Sequence, residues 1–407
     1  MAVTLSRYLD VLRAPGVARV VTFALIGRLP FGTLPLSIVL LMRHEHYPYG
    51  QIGAVVATEA LAVGVTAVFI GRLVDRIGQQ RVLITTGVVT ALAICAQALA
   101  MASGASVALL VAIGAVQGAT VPPVSPSMRA LWPKLIHEDR IETAYAFDSV
   151  ALELAFIVGP LIAAGLATAW TPLAGMFLSA VFYSVAAIGF ARAPASRAWR
   201  PAESVERTRA GALRSPGIRV LATAAAFAAV AFGALEVGLT AFAESQGSRG
   251  AVGPLITVWS IGSLVGGLVY GARSWSSPAS RRFLILSGLL GLGAVPLPFA
   301  GSLIAMGAFL FGTGLALAPL GATAYSLLGS LAPEGTATEA YSWHIVANVI
   351  GAAIGAFLAG ILIEHASVEW ALAIASIACG LGLLVALAGR RALSPGAAAA
   401  SHAERQH

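Results

Sequence analysis

Twelve long apolar runs dominate the sequence, and nothing else constrains the fold as strongly. They lie at about 17–41, 50–70, 82–102, 105–128, 143–168 and 172–192 in the first half. In the second half they lie at about 218–243, 251–272, 282–300, 302–329, 338–363 and 367–389. Each is close to the roughly 20 residues that a helix needs to cross the hydrocarbon core of a bilayer. Only 11 % of the 407 residues are charged, against about 25 % in soluble domains. The expected class is an all-α integral membrane protein with twelve transmembrane helices.

The charges between the runs agree with that count. Of the 25 Lys and Arg residues, 22 fall on one side of the alternation. They sit before span 1, between spans 2 and 3, 4 and 5, 6 and 7, and 8 and 9, and in the tail. Arg43 and Arg249 fall on the other side, and Arg28 lies inside span 1. A basic excess marks the cytoplasmic side, so both termini are expected in the cytoplasm. The net charge of +7 therefore orients the chain in a lipid bilayer and points to no nucleic acid. Lys134 is the only lysine, and with so much alanine this fits a high-GC bacterial genome and a bacterial inner membrane. No cleavable signal pattern precedes span 1, which is expected to act as an uncleaved signal.

The two halves repeat. Phe31-Gly32 recurs as Phe232-Gly233, 201 residues later. Gly118, Pro123, Ala144-Tyr145 and Gly159 recur as Gly314, Pro319, Ala340-Tyr341 and Gly355, 196 residues later. The repeat implies two six-helix bundles related by a pseudo-twofold. In that architecture a substrate site lies at the midplane and rocking gives alternating access. The expected division is a bundle at 1–193, a cytoplasmic linker at 194–217, a second bundle at 218–390 and a disordered tail at 391–407. Spans 5 and 11 share a face of small residues: Ala151, Ala155, Gly159 and Ala163, then Ala347, Gly351, Gly355 and Ala359. Such a face lets helix backbones approach closely, either inside one bundle or where two halves slide.

Ionisable groups inside spans cost about 2.5–3.5 kcal/mol each on insertion scales, so they are functional candidates. Arg28, Glu59 and Glu153 lie at similar depth in spans 1, 2 and 5. Asp148 and His344 lie nearer the arginine-rich ends of spans 5 and 11, and Glu236 in the outer part of span 7. A buried Arg is best matched by a carboxylate. Arg28 is expected to pair with Glu153, with Glu59 the second choice, as either a structural ion pair or a proton-coupling one. Glu236 is either functional or simply wetted at the interface. Phe31, Gln117, Trp259, Tyr325 and Trp343 are candidate cavity-lining residues, or ordinary packing. Pro122, Pro123 and Pro126 in span 4, and Pro319 with its neighbouring glycines in span 10, are expected to bend those helices. Cys95 and Cys379 lie inside spans with no metal-ligand spacing. No nucleophile elbow, phosphate loop or metal cluster appears. The expectation is no enzyme, no metal and no cofactor, with an ion gradient as energy source.

Between spans 2 and 3 stands a short charged island, Gly71-x-Leu73-x-Asp75-Arg76-x-Gly78 followed by Arg81. It resembles the loop 2–3 signature of the major facilitator superfamily. Gln79 and Gln80 stand where relatives are often basic. The resemblance covers nearly the whole chain and implies twelve spans, alternating access and a gate on the cytoplasmic side. It implies that Gly71, Asp75, Arg76, Gly78 and Arg81 form a gate loop, with Asp75 near the start of span 11, around Thr338 to Tyr341. The counterpart loop near Gly271 to Leu284 lacks the acidic residue, so the lock is expected to be lopsided. Ala155-x-x-x-Gly159-Pro160 in span 5 is similar to the family's antiporter signature, which is associated with exporters. The proton-coupling signature has an arginine three residues before Gln117-Gly118, where this chain has Gly114. The expectation is that Arg28 supplies that charge from span 1. The function so implied is proton-coupled efflux of small organic molecules by a monomer. An importer or uniporter, or a membrane sensor that binds without transport, stands as the alternative.

Overall fold

The computed structural model describes residues 6–200, 211–248 and 251–394. All regular structure among them is helical. A short helix α1 (Ser6–Arg13) precedes span 1, which is split into α2 (Val17–Ile26) and α3 (Leu29–His44). Span 2 is α4 (Tyr49–Ile77) and span 3 is α5 (Gln79–Ala102). Span 4 is split into α6 (Val107–Ala119) and α7 (Val124–Leu135). Span 5 is α8 (Ile141–Ala169), span 6 is α9 (Pro172–Ala191), and α10 (Pro194–Ala198) opens the linker. The second half continues as α11 (Pro216–Ser245), α12 (Val252–Gly271), α13 (Ala279–Ala294), α14 (Leu303–Leu331), α15 (Ala337–His365) and α16 (Val368–Ala388), which are spans 7 to 12. Twelve segments are long and apolar enough to cross a membrane, and they coincide with the expected spans. The expected tail lies almost wholly outside the described residues, as do Arg207, Arg209, Arg249 and Arg405.

Prolines account for where the helices break. Span 1 is not one continuous helix. It breaks at Gly27 and Arg28, because Pro30 has no N–H to give the carbonyl one turn back and its ring crowds that carbonyl. Span 4 breaks at residues 120–123, where Pro122 and Pro123 follow one another. Span 10, by contrast, runs unbroken through Pro319 as α14. A single proline frees one carbonyl, that of Leu315, and this carbonyl lies against Gly266 of span 8. A Cβ at Gly266 would collide with it.

The described chain forms two compact units. One comprises 10–136 and 151–200; the other comprises 6–9 and 137–150 together with the second half from residue 211. The first unit is built on Leu34, Ile38, Met42, Val55, Ile94, Leu110, Met176 and Tyr183, drawn from spans 1, 2, 3, 4 and 6. In the second, Ala234, Ala359 and Ala371 bring spans 7, 11 and 12 together with Val237, Leu362 and Ile374 around them.

The small-residue faces pack inside each repeat. A Cβ on Gly159 would lie 2.7 Å from Gly32 Cα, so spans 1 and 5 touch backbone to backbone. In the other repeat Gly351 and Gly355 of span 11 meet the carbonyls of Ala226 and Val230 of span 7. The same logic recurs between spans 2 and 4, where Gly118 meets the Glu59 carbonyl, and between spans 8 and 10, where Gly314 meets the Trp259 carbonyl. Glu59 and Trp259 are thus counterparts, an acid in one repeat and an aromatic in the other.

Candidate functional site

Arg28 lies at the break in span 1 with 1 % of its surface exposed. Its Nε donates to Ser125 Oγ in the second segment of span 4, at 3.4 Å. The break therefore holds a guanidinium inside a membrane-spanning segment. Glu153 is half-buried on span 5, and Asp148 is fully buried on the same helix. Glu59 is half-buried, with the Gln117 amide beside its carboxylate and the Tyr183 ring nearby. Gln117 is itself fully buried. Phe31 is half-buried on span 1.

The charged island is not a loop. Gly71 to Ile77 are the last two turns of span 2, and span 3 begins at Gln79. Gly78 alone connects them, at φ 93° and ψ 156°, a region that is essentially glycine-only. No atom lies within 4 Å of where a Cβ would stand, so backbone conformation, not space, fixes the glycine. Asp75 is 5 % exposed, while Arg76 and Arg81 point outward. Gln79 is 1 % exposed. Its Nε2 donates to the Ser127 carbonyl at 3.2 Å, and its Oε1 accepts from Ser196 Oγ of α10 at 3.0 Å. One neutral amide thereby ties span 3 to span 4 and to the start of the linker.

The first turns of span 5 make a cluster that sequence reasoning missed. Arg282 Nη2 donates to Glu142 Oε1 at 2.7 Å. The Glu142 carboxylate also accepts from Ser326 Oγ at 2.8 Å and from Tyr270 Oη at 3.1 Å. Thr143 Oγ1 donates to the Gly271 carbonyl at 2.8 Å. Arg282 lies over the rings of Tyr270 and Trp275, 5.8 and 5.6 Å from their centroids. From the N-terminal helix, Tyr8 Oη donates to the Gly267 carbonyl at 3.0 Å, and Arg7 donates to the Asp139 carbonyl at 2.6 Å. Burial raises the Tyr8 hydroxyl above its ordinary range. An ion pair thus stands beside the counterpart loop, with the cation on span 9 and the carboxylate on span 5. No acid stands within the loop itself, between Gly271 and Leu284, and the carboxylate comes from another element. An acid in a first helical turn reads equally well as a response to the helix dipole, which hid Glu142.

The remaining candidates lie in the second half. Glu236 is exposed on span 7. Trp259 is 6 % exposed, with its ring 5.2 Å from Phe232. Tyr325 packs edge-on against Tyr341 and His344, at 6.4 and 5.4 Å. Trp343 Nε1 donates to Glu339 Oε1 at 3.2 Å. A groove of about 830 Å³ between spans 8 and 10 is lined by Leu255, Val258, Leu303, Ile304 and Phe311 among others, and by none of the five candidate cavity residues.

The family model described as Major Facilitator Superfamily matches residues 21–273. The chain belongs to the major facilitator superfamily. It is a multi-pass membrane transporter, and its twelve spans form that family's fold. Among solved structures it is similar to the human organic anion transporter MFSD10 (TETRAN), at 17 % identity and a TM-score of 0.73, covering 92 % of this chain and 100 % of that one. It is also similar to a bacterial homologue of the iron transporter ferroportin in an outward-facing state. With soaked iron, that structure has 14 % identity, 91 % and 98 % coverage and a TM-score of 0.75. Without it, the values are 17 %, 91 % and 99 %, and 0.67. No curated protein matches the sequence.

Two departures from the superfamily's patterns have a structural cause. At Gly114, a Cβ would lie 2.9 Å from Gln97 Nε2 and 3.7 Å from the Val55 carbonyl. The direction in which an arginine would leave span 4 is occupied by a span 3 amide, itself bonded to the Leu110 carbonyl at 3.2 Å. Gln79 stands at an often basic position but is buried between three elements, its amide taken up by Ser127 and Ser196.

Proposed function

We propose that this superfamily member is a proton-coupled exporter of small organic molecules. It acts as a monomer in the inner membrane of a bacterium, with the arginine-rich side and both termini in the cytoplasm. The proton gradient is its energy source, and it uses no cofactor. The observation that carries the reading is Arg28, a guanidinium 1 % exposed at a helix break inside a membrane-spanning segment. Keeping it there is costly, and a hydrophobic side chain would pack span 1 without that cost. Its bond to Ser125 supports the idea that Arg28 brings to span 4 the positive charge that Gly114 cannot.

In this reading Glu153 is the carboxylate whose protonation competes with Arg28, and Glu59 is the second choice. Protonation neutralises the acid and frees the guanidinium for cargo or for a new partner. Asp75 belongs to the gate on the cytoplasmic side. The span 5 pattern ending in Gly159-Pro160 supports export over import.

The test is proton flux in inverted vesicles, challenged with lipophilic cations, neutral drugs, metabolites and organic anions. One compound class should dissipate the gradient, and Glu153→Gln should abolish the response. Undiminished coupled flux in both Glu153→Gln and Glu59→Gln would reject the mechanism. Full coupling in Arg28→Ala would reject the role of Arg28.

A further inference from the structure

Tyr145 and Tyr341 stand 196 residues apart, at the offset of the internal repeat, and their hydroxyl oxygens are 2.8 Å apart. They occupy equivalent turns near the arginine-rich ends of spans 5 and 11, and neither exposes more than 1 % of its surface. Tyr341 Oη donates to the Tyr325 carbonyl of span 10 at 3.3 Å. Its oxygen is then left to accept from Tyr145, since a hydroxyl can donate and accept at once. The pair closes over Gly329 of span 10. A Cβ there would lie 2.7 Å from Tyr341 Oη and 2.8 Å from Tyr145 Oη.

The ion pair of Glu142 and Arg282 lies one turn of span 5 further out. Span 5 is therefore joined to elements of the second repeat at two levels, a charged outer level and a dry inner one. Alternating access moves one repeat against the other, so both levels must part when this side opens. Charged groups at the outer level can exchange a partner for water. The buried hydroxyls cannot do so until the helices have separated, and breaking their bond first costs the full desolvation of the groups.

We propose that Tyr145, Tyr341 and Gly329 form the inner gate of the arginine-rich side. The hydroxyl pair latches span 5 to spans 10 and 11, and the glycine is the space into which the pair closes. These are positioning residues that need touch no cargo. The gate serves export and import alike, so it does not depend on the direction proposed above.

The test uses Ser149→Cys as reporter. Ser149 is 6 % exposed, one turn deeper than Tyr145, and its hydroxyl donates to the Tyr145 carbonyl at 3.2 Å. A membrane-impermeant maleimide is applied to inside-out and right-side-out vesicles, without cargo or gradient. The parent, with Cys95 and Cys379 alone, gives the background. Tyr145→Phe should label about five-fold faster, the equivalent of one hydrogen bond of about 1 kcal/mol, and from one side of the membrane only. Gly329→Ala should label faster still. Its effect should shrink when both tyrosines are Phe, because the oxygens that the new methyl meets are gone. An unchanged rate in Tyr145→Phe overturns the proposal, as does a Gly329→Ala effect that persists undiminished in the Phe background. Acceleration from the right-side-out face alone would leave the gate standing and reverse the assumed orientation.

Discussion

Replacing Gly159 by Ala adds one methyl group where spans 1 and 5 touch. That methyl would stand 2.7 Å from Gly32 Cα and 2.8 Å from both Gly32 C and Thr33 N. Ordinary contacts between such atoms lie near 3.5–4.0 Å, so the helices must part by about 1 Å. All three neighbours are backbone atoms, and no side chain can swing aside. Overpacking of this kind costs about 1–3 kcal/mol. Gly165, on the same helix, has no atom within 4 Å of its would-be Cβ, and there Ala gains up to about 1 kcal/mol from helix propensity. Both changes share that gain, so two chemically identical changes six residues apart should differ by the overpacking cost, about 1–3 kcal/mol. Thermal unfolding of both variants in mild detergent measures the difference. Gly32→Ala should fall with Gly159→Ala, because its methyl would meet the Ala155 carbonyl at 2.6 Å and Pro160 Cδ at 2.8 Å. If Gly159→Ala is as stable as Gly165→Ala, close packing of spans 1 and 5 is not what the glycine provides.

Glu142→Gln leaves the Arg282 guanidinium buried without a counter-charge, and should cost about 2–3 kcal/mol, somewhat below the value for a fully buried pair. Adding Arg282→Gln should recover part of that loss, and a double variant that unfolds earlier than either single one would refute the pairing. Gly78→Ala forces an L residue into the backbone region at φ 93° and should cost about 1–3 kcal/mol, read from the same unfolding curves. Gly53→Ala, which also meets nothing within 4 Å but has no positive φ, is the control.

Much of the architecture was legible because hydropathy and charge are local properties. Runs of apolar residues located all twelve spans, and arginines every second loop confirmed their number. The repeat was legible too, through Gly32 and Gly233, Tyr145 and Tyr341, Gly159 and Gly355. Boundaries were less so. The island at 71–83 reads as a loop because charge usually leaves the membrane, yet Gly71 to Ile77 continue the helix of span 2. Pro30 and Pro319 look alike in sequence, but one breaks its helix and the other does not.

Partner choice was beyond the sequence. Glu142 meets Arg282 across 140 residues, Gln79 meets Ser196 across 117, and Arg28 meets Ser125 across 97. A local pattern carries no information about which of many candidate groups will lie opposite after folding. The small faces of spans 5 and 11 were equally open to sliding or to static packing. Only the contacts of Gly159 with Gly32, and of Gly355 with Val230, place them inside their own repeats. The sequence by itself therefore determined the membrane class, the span count and the internal repeat, all of which follow from hydrophobic length and loop charge. The tertiary structure decided what each polar or small residue touches, because those contacts join helices far apart in the chain.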